Sequence, residues 1–235
     1  MNGPAASNPF ATRFIRPGAL PFLFPPALPA PDRLARGIDA GLADPPLPDA
    51  GAARLEELLV RWRCAGRVGQ IVGPHGSGKS TLLAALTQAL VRAGLRVESH
   101  TLRPGQPGWP RLRRAARRWG RQTAVAVDGL EQLPWHRRWH LRQVCRRRGC
   151  GLLATTHRPL GWPLLWETRV TPELARAIVA RLAPGFALPD GYRLEQLLAD
   201  QAGNMRETLF ALYDLYQQGQ LGRSVPAVSP DDSST

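Results

Sequence analysis

The chain contains a single lysine. Of its thirty-one basic residues, Lys79 alone is not arginine, so positive charge is carried as guanidinium everywhere but at that position. Cysteine is nearly as scarce. Cys64, Cys145 and Cys150 are odd in number, fall in no CxxC pair and join no Cys/His ligand set, which excludes a disulfide framework and points to a reducing, cytoplasmic compartment. Long apolar runs are missing too. The stretch 18–30 follows Arg13 and Arg16 in the manner of a signal peptide, but Pro21, Pro25, Pro26 and Pro29 break any helical core within it. It therefore reads as an extended arm, with no membrane insertion expected. No repeat of fixed period is present.

Against these absences stands one dense cluster of glycine. Gly73-Pro74-His75-Gly76-Ser77-Gly78-Lys79-Ser80, followed by Thr81, reads G-x-x-x-x-G-K-S, the phosphate-cradling P-loop or Walker A pattern. Its glycines allow positive φ and bring backbone N–H groups close to phosphate oxygens. Lys79 supplies a compact charge for the outer phosphates, and the Ser80 hydroxyl suits Mg²⁺. The flanks agree with this reading. Val68 to Val72 is β-branched and fit for a buried strand, and the run after Ser80 is helix-forming up to Gly94. Strand, loop and helix then stand in the order that aims a helix N-terminus at an anion. A nucleoside triphosphate, with ATP and Mg²⁺ as the expected pair, is the ligand these residues predict. A guanine-reading N-K-x-D motif is excluded because no second lysine exists, and the L-S-G-G-Q signature of ABC ATPases is absent.

The remaining chain reads as alternating elements. A Pro-rich arm covers 1–51, in which Phe10, Phe14, Phe22 and Phe24 are expected to dock on the core, near the adenine. An NTPase core covers 52–170, a helical lid 171–220 and a disordered tail 221–235. Within the core, helical spacing predicts helices over 52–63, 110–119 and 134–148, and strands over 95–100, 151–157 and 166–170. Thr123 to Asp128 is a buried-strand pattern ending in a carboxylate, the Walker B arrangement that brings Asp128 to the Mg²⁺ shell. On helix 134–148, Trp135, Trp139, Leu141 and Cys145 are expected to pack inward, the alternative for the two tryptophans being base stacking. His136 and His140, four apart, have metal-ligand spacing but no third partner, so a solvated face is the plainer reading. His75 reads as a tolerated loop residue.

Charge is unevenly placed. The formal net charge is +13, and residues 101–150 hold thirteen arginines against only Asp128 and Glu131. The arginine-rich segment 103–148 is either a site for nucleic acid or an acidic protein, or simply a solvated surface.

Walker A on the first strand, Walker B on a later one, and a following strand that ends Thr155-Thr156-His157 together resemble the ASCE division of P-loop ATPases, and most closely the AAA+ and STAND-type ATPases. The resemblance covers roughly 52–218. It implies an α/β, three-layer P-loop fold with a parallel five-stranded sheet in 5-1-4-3-2 order and a small C-terminal helical lid. It also implies ATP hydrolysis and possible homo-oligomers with an arginine finger, for which Arg137, Arg138, Arg142 and Arg146 to Arg148 are all available. Thr156 or His157 matches the family's sensor 1, and Gly203-Asn204-Met205-Arg206 resembles its lid motif, which makes Arg206 the sensor 2 candidate. The family's usual acid after the Walker B Asp is replaced here by Gly129. Glu131 resembles the displaced acid of STAND-type enzymes, or is a helix-start carboxylate. A P-loop kinase using lid arginines such as Arg158 remains an alternative.

Overall fold

The computed structural model describes residues 8–11, 22–25, 48–188, 193–219 and 222–223. Phe14 and most of the expected tail lie outside them. Contacts divide the chain into two compact units, 15–170 and 1–14 with 171–235.

The larger unit is built on a sheet of five strands: β1 (Val68–Val72), β2 (Arg96–Thr101), β3 (Thr123–Asp128), β4 (Gly151–Thr156) and β5 (Leu164–Glu167). Their order is β2-β3-β4-β1-β5, and every pairing is parallel. This is the expected 5-1-4-3-2 arrangement read from the other edge. The three central strands β1, β3 and β4 are almost entirely buried, as strands covered on both faces must be.

Helices α1 (Pro48–Cys64) and α2 (Lys79–Arg92) cover one face of the sheet, and α3 (Gly108–Ala115) and α4 (Trp135–Arg148) cover the other. Leu58, Trp62, Leu82 and Leu86 pack with Ile71, Ala124, Ala126 and Leu153 on the first face. Leu112, Leu141 and Cys145 pack with Val125, Val127, Leu152 and Ala154 on the second. The strands' two-residue alternation sorts these side chains between the layers. Two elements are displaced from expectation: α1 begins at Pro48 rather than 52, and β5 ends at Glu167 rather than 170.

Trp135 and Trp139 correct the sequence reading outright. They are 75% and 59% exposed. The helix buries Leu141 and Cys145, and Trp139 lies two residues, about 200°, from Leu141 around the axis. Both indoles therefore face away from the core.

The smaller unit contains α5 (Pro172–Leu182), α6 (Leu194–Asp200) and α7 (Met205–Gln217), with a two-stranded ribbon of β6 (Phe186–Ala187) and β7 (Gly222–Arg223). Thr171 caps α5, its hydroxyl accepting from Leu174 N, with Pro172 starting the helix. Arm residues join this unit: Phe10 is fully buried with its ring edge-on to Tyr216, and Asn8 donates to Tyr213 O at 3.0 Å. The other described piece of the arm belongs to the larger unit. Phe22 meets Phe24, and Phe24 meets Trp166, both edge-on.

Candidate active site

The loop between β1 and α2 is shaped by what surrounds its first residue. A Cβ on Gly73 would stand 2.1 Å from Thr168 Oγ1 and 2.5 Å from Thr168 O, so only glycine fits. Thr168, buried just beyond β5, donates its N–H to Val72 O at 2.7 Å and places its hydroxyl 2.6 Å from Ser77 Oγ. Ser77 in turn donates to Pro74 O at 2.8 Å. Thr168 thus ties both ends of the loop to the sheet, a role that no motif marks in the sequence.

Gly78 is the N-cap of α2, at φ 90°. No side chain caps the helix, and no acidic residue stands in its first turn. Its N-terminal dipole and amides are therefore left to an external anion. Lys79 is buried, and its Nζ donates to Pro74 O at 2.5 Å, which folds the ammonium back over the loop. Pro74 and His75 are exposed at the rim, Gly76 is half-buried, and Thr81 lies half-buried in the first turn of α2. Phe22 flanks the loop: a Cβ on Gly78 would be 3.2 Å from its ring.

At the C-terminal end of β3, Asp128 Oδ1 accepts from Ser80 Oγ at 3.1 Å and from Thr155 Oγ1 at 2.5 Å. The Thr155 hydroxyl also accepts from Gly129 N at 2.9 Å, so one side chain latches both the carboxylate and the turn after it. Thr156, which with His157 is one of the two sensor 1 candidates, is fully buried. Its hydroxyl is 3.5 Å from Gln70 Oε1, in a network that also takes Leu160 N. Of the two threonines, Thr155 faces Asp128 and Thr156 faces Gln70. Strand parity is the signal for this: β3 and β4 pair Val127 with Ala154, and the next residues on the two strands share a face. Thr155→Val should leave the fold intact and raise the Mg²⁺ concentration needed for half-maximal nucleotide binding by about tenfold, the worth of one charge-assisted hydrogen bond; a magnesium titration at fixed nucleotide measures it.

Gly129 explains the missing neighbouring acid. It sits at φ 81°, and a Cβ there would lie 2.8 Å from Leu102 O, so a side chain is refused at this point. The carboxylate appears instead on the following 3-10 turn, Leu130–Gln132, as Glu131. Gly129→Ala should cost about 1–3 kcal/mol of stability, read as a lowered urea midpoint with unchanged slope.

Glu131 Oε1 is 3.0 Å from His157 Nε2, and His157 Nδ1 is 3.3 Å from Gly73 O. Both ring nitrogens of His157 thus face oxygens, one of the Glu131 carboxylate and one of the loop backbone. His75 lies beside the pair, its ring centroid 3.8 Å from that of His157. Glu131 Oε2 is shielded from solvent and has no protein partner among the described residues. An orphaned acceptor of this kind calls for a water or ligand donor.

These residues fit Mg²⁺ with a triphosphate. The hydroxyl of Ser80 and the carboxylate of Asp128 are hard oxygen donors, and among the described residues no group of three or more His, Cys, Asp or Glu could hold a metal ion by itself. Magnesium suits such a site because it keeps waters and shares ligands with phosphates. Arg206 belongs to the smaller unit, exposed in the first turn of α7, which Asn204 caps through Oδ1 to Arg206 N at 3.1 Å and Glu207 N at 3.4 Å.

A five-stranded parallel sheet with a glycine-rich loop after its first strand and Asp128 at the end of its third is a P-loop fold. Within that class the fold is of AAA+ type. Among solved structures the chain is similar to a replication initiator DnaA bound to AMPPCP and single-stranded DNA, with TM-score 0.52 and 13% identity over 72% of this chain and 61% of that one. It is also similar to a DNA replication initiation factor, with TM-score 0.50 and 15% identity over 72% and 60%. The chain thus spans about three fifths of those structures' length. No protein-family model and no curated protein matches the sequence.

Proposed function

We propose that the chain is a cytoplasmic Mg²⁺-dependent ATPase whose turnover switches a partner interaction. One observation carries this reading above the rest: Ser80 and Asp128, 48 residues apart, meet at 3.1 Å beside an uncapped helix N-terminus. Backbone amides from Gly76 to Ser80 hold the phosphates, with the loop from Gly73 to Thr81 closing around them, and Lys79 bridges the outer oxygens. Ser80 and Asp128 would hold Mg²⁺, which when bound neutralises charge on the phosphates. Thr155 fixes the Asp128 carboxylate. Glu131 presents Oε2 to the attacking water and takes its proton as the new P–O bond forms and the bond from the γ-phosphorus to the β–γ bridging oxygen breaks, releasing ADP, while His157 holds Oε1 and so sets the direction of Oε2. Residues 171–220 act as the lid, with Arg206 sensing the γ-phosphate.

Steady-state phosphate release tests this. Turnover dependent on Mg²⁺ is expected, whereas tight ATP binding without turnover would leave only a nucleotide-operated binding module. A specific observation favours that module as the second reading. The outer layer of α3 and α4 is arginine-rich and without carboxylates, a surface suited to nucleic acid or an acidic protein. Homo-oligomers assembled by ATP, with an arginine of this layer as finger, are compatible with either reading.

A further inference from the structure

The positive charge of this chain is concentrated in the segment that packs on one side of the sheet, and among the described residues so are the most exposed aromatic side chains. Helices α3 and α4 both pack on the face that buries Leu112 and Leu141, and they meet where the ring of Trp109 stands edge-on to His140 at 5.4 Å. Neither helix contains an acidic residue. No arginine between 103 and 148 forms an ion pair with a described carboxylate. Arg113, Arg117, Arg137, Arg142 and Arg146 are exposed, so this layer presents a field of cations without internal counter-ions.

Within that field, Trp135 and Trp139 are 75% and 59% exposed. They stand one turn apart on α4, about 6 Å along its axis. Two large indoles in water are an unfavourable arrangement for an isolated surface, since each leaves apolar area unburied. Their surroundings identify what would cover them. The same layer of a second copy would bring thirteen arginines against two carboxylates face to face with this one and be repelled. An acidic peptide would answer the arginines but has no requirement for flat aromatic faces. Duplex DNA would answer the arginines too, yet its bases are already stacked on one another. Only a single strand offers anionic phosphates and unstacked bases together.

From this juxtaposition we propose that the outer layer of α3 and α4 binds single-stranded nucleic acid, with bases stacking on Trp135 and Trp139 and phosphates on the surrounding arginines. This deepens the second reading above by naming the partner. It also links that partner to the nucleotide site, because Trp135 begins α4 four residues after Glu131, at the strand end where the P-loop lies.

The test is fluorescence anisotropy of a labelled oligothymidylate with the full chain, run without nucleotide so that absence of ATPase activity leaves the result interpretable. Binding is expected to weaken linearly on a log–log plot against salt, with a slope of about −0.7 for each phosphate neutralised. Trp135→Ala with Trp139→Ala should weaken it about ten- to a hundredfold, while thermal unfolding and the salt slope stay close to wild type. Arg137→Ala with Arg142→Ala should instead flatten the slope by about 0.7 for each arginine. Equal affinity for a duplex of the same length, or indifference to loss of both tryptophans, would overturn the stacking role. Polyglutamate competing as strongly as the oligonucleotide at the same salt would overturn the proposal in favour of an acidic protein. Tryptophan-dependent self-association in sedimentation would overturn it in favour of a second copy. No binding at low salt overturns it altogether.

Discussion

Lys79→Ala abolishes phosphate release and weakens Mg²⁺·ATP binding by at least a hundredfold. The expected size follows from what the ammonium does. It is a buried point charge, held over the loop by Pro74 O, at the position where negative charge on the outer phosphates must be met. Removing one preorganised donor from such a site costs about 3–4 kcal/mol, a factor of 10²–10³. No arginine can substitute, because a planar guanidinium does not fit a ring of backbone amides as an ammonium does. The variant should fold normally, since the loop is anchored by Thr168, Ser77 and Gly73 and not by the lysine. Calorimetric titration with nucleotide, alongside a phosphate-release assay, checks both halves of the expectation.

The second large effect separates binding from chemistry. Glu131→Gln keeps the size of the side chain and can still hydrogen-bond to His157, but removes the basic carboxylate oxygen. ATP affinity should change by less than about threefold, while turnover falls by about 10²–10⁴, the usual worth of a positioned general base. His157→Ala should act through Glu131 and not on the nucleotide. With the partner at Oε1 gone, Oε2 loses its fixed direction, so turnover should drop by about tenfold, with binding close to wild type. Measured together, the two substitutions should be less than additive, because they disable one unit. If Glu131→Gln leaves turnover unchanged, the carboxylate is only a helix-start charge and the hydrolytic mechanism fails at that step.

The parts of the site that could be read in the sequence are those made of contiguous residues. Gly73 to Thr81 announces itself because a phosphate cradle needs glycines, a cation and a hydroxyl at fixed offsets within one strand-loop-helix unit. Asp128 was visible at the end of an apolar strand once that unit was known. What was not legible depends on which way adjacent side chains point. Thr155 and Thr156 are chemically alike, and only the alternation of β4 against β3 shows that Thr155 shares a face with Asp128. Trp135 and Trp139 have the same difficulty on a helix. The sequence offers two apolar stripes, Trp135 with Trp139 and Leu141 with Cys145, and the more hydrophobic-looking pair is the one left outside. Size and aromaticity suggested a core, but a helix with arginines on most of its circumference seats only a narrow stripe.

Thr168 and Gln70 were invisible for another reason. Each is a buried polar residue whose partners lie on distant segments: Gln70 donates to Trp162 O at 2.7 Å and accepts from Leu160 N at 3.0 Å. No local pattern predicts such a bond, because its demand arises only when strands have assembled. Gly129 shows the reverse. Its departure from the usual Walker B neighbour read as a weakness in the sequence, and the proximity of Leu102 O makes it a requirement of the turn that carries Glu131.

Calorimetric titration of the folded chain with ATP in excess Mg²⁺ bears most directly on whether the loop after β1 grips a polyphosphate. The account predicts saturable heat with one site per chain, micromolar or tighter affinity, and loss of that heat in Lys79→Ala. A flat thermogram with ATP and with every other nucleoside triphosphate, from protein that unfolds cooperatively on heating, would contradict it.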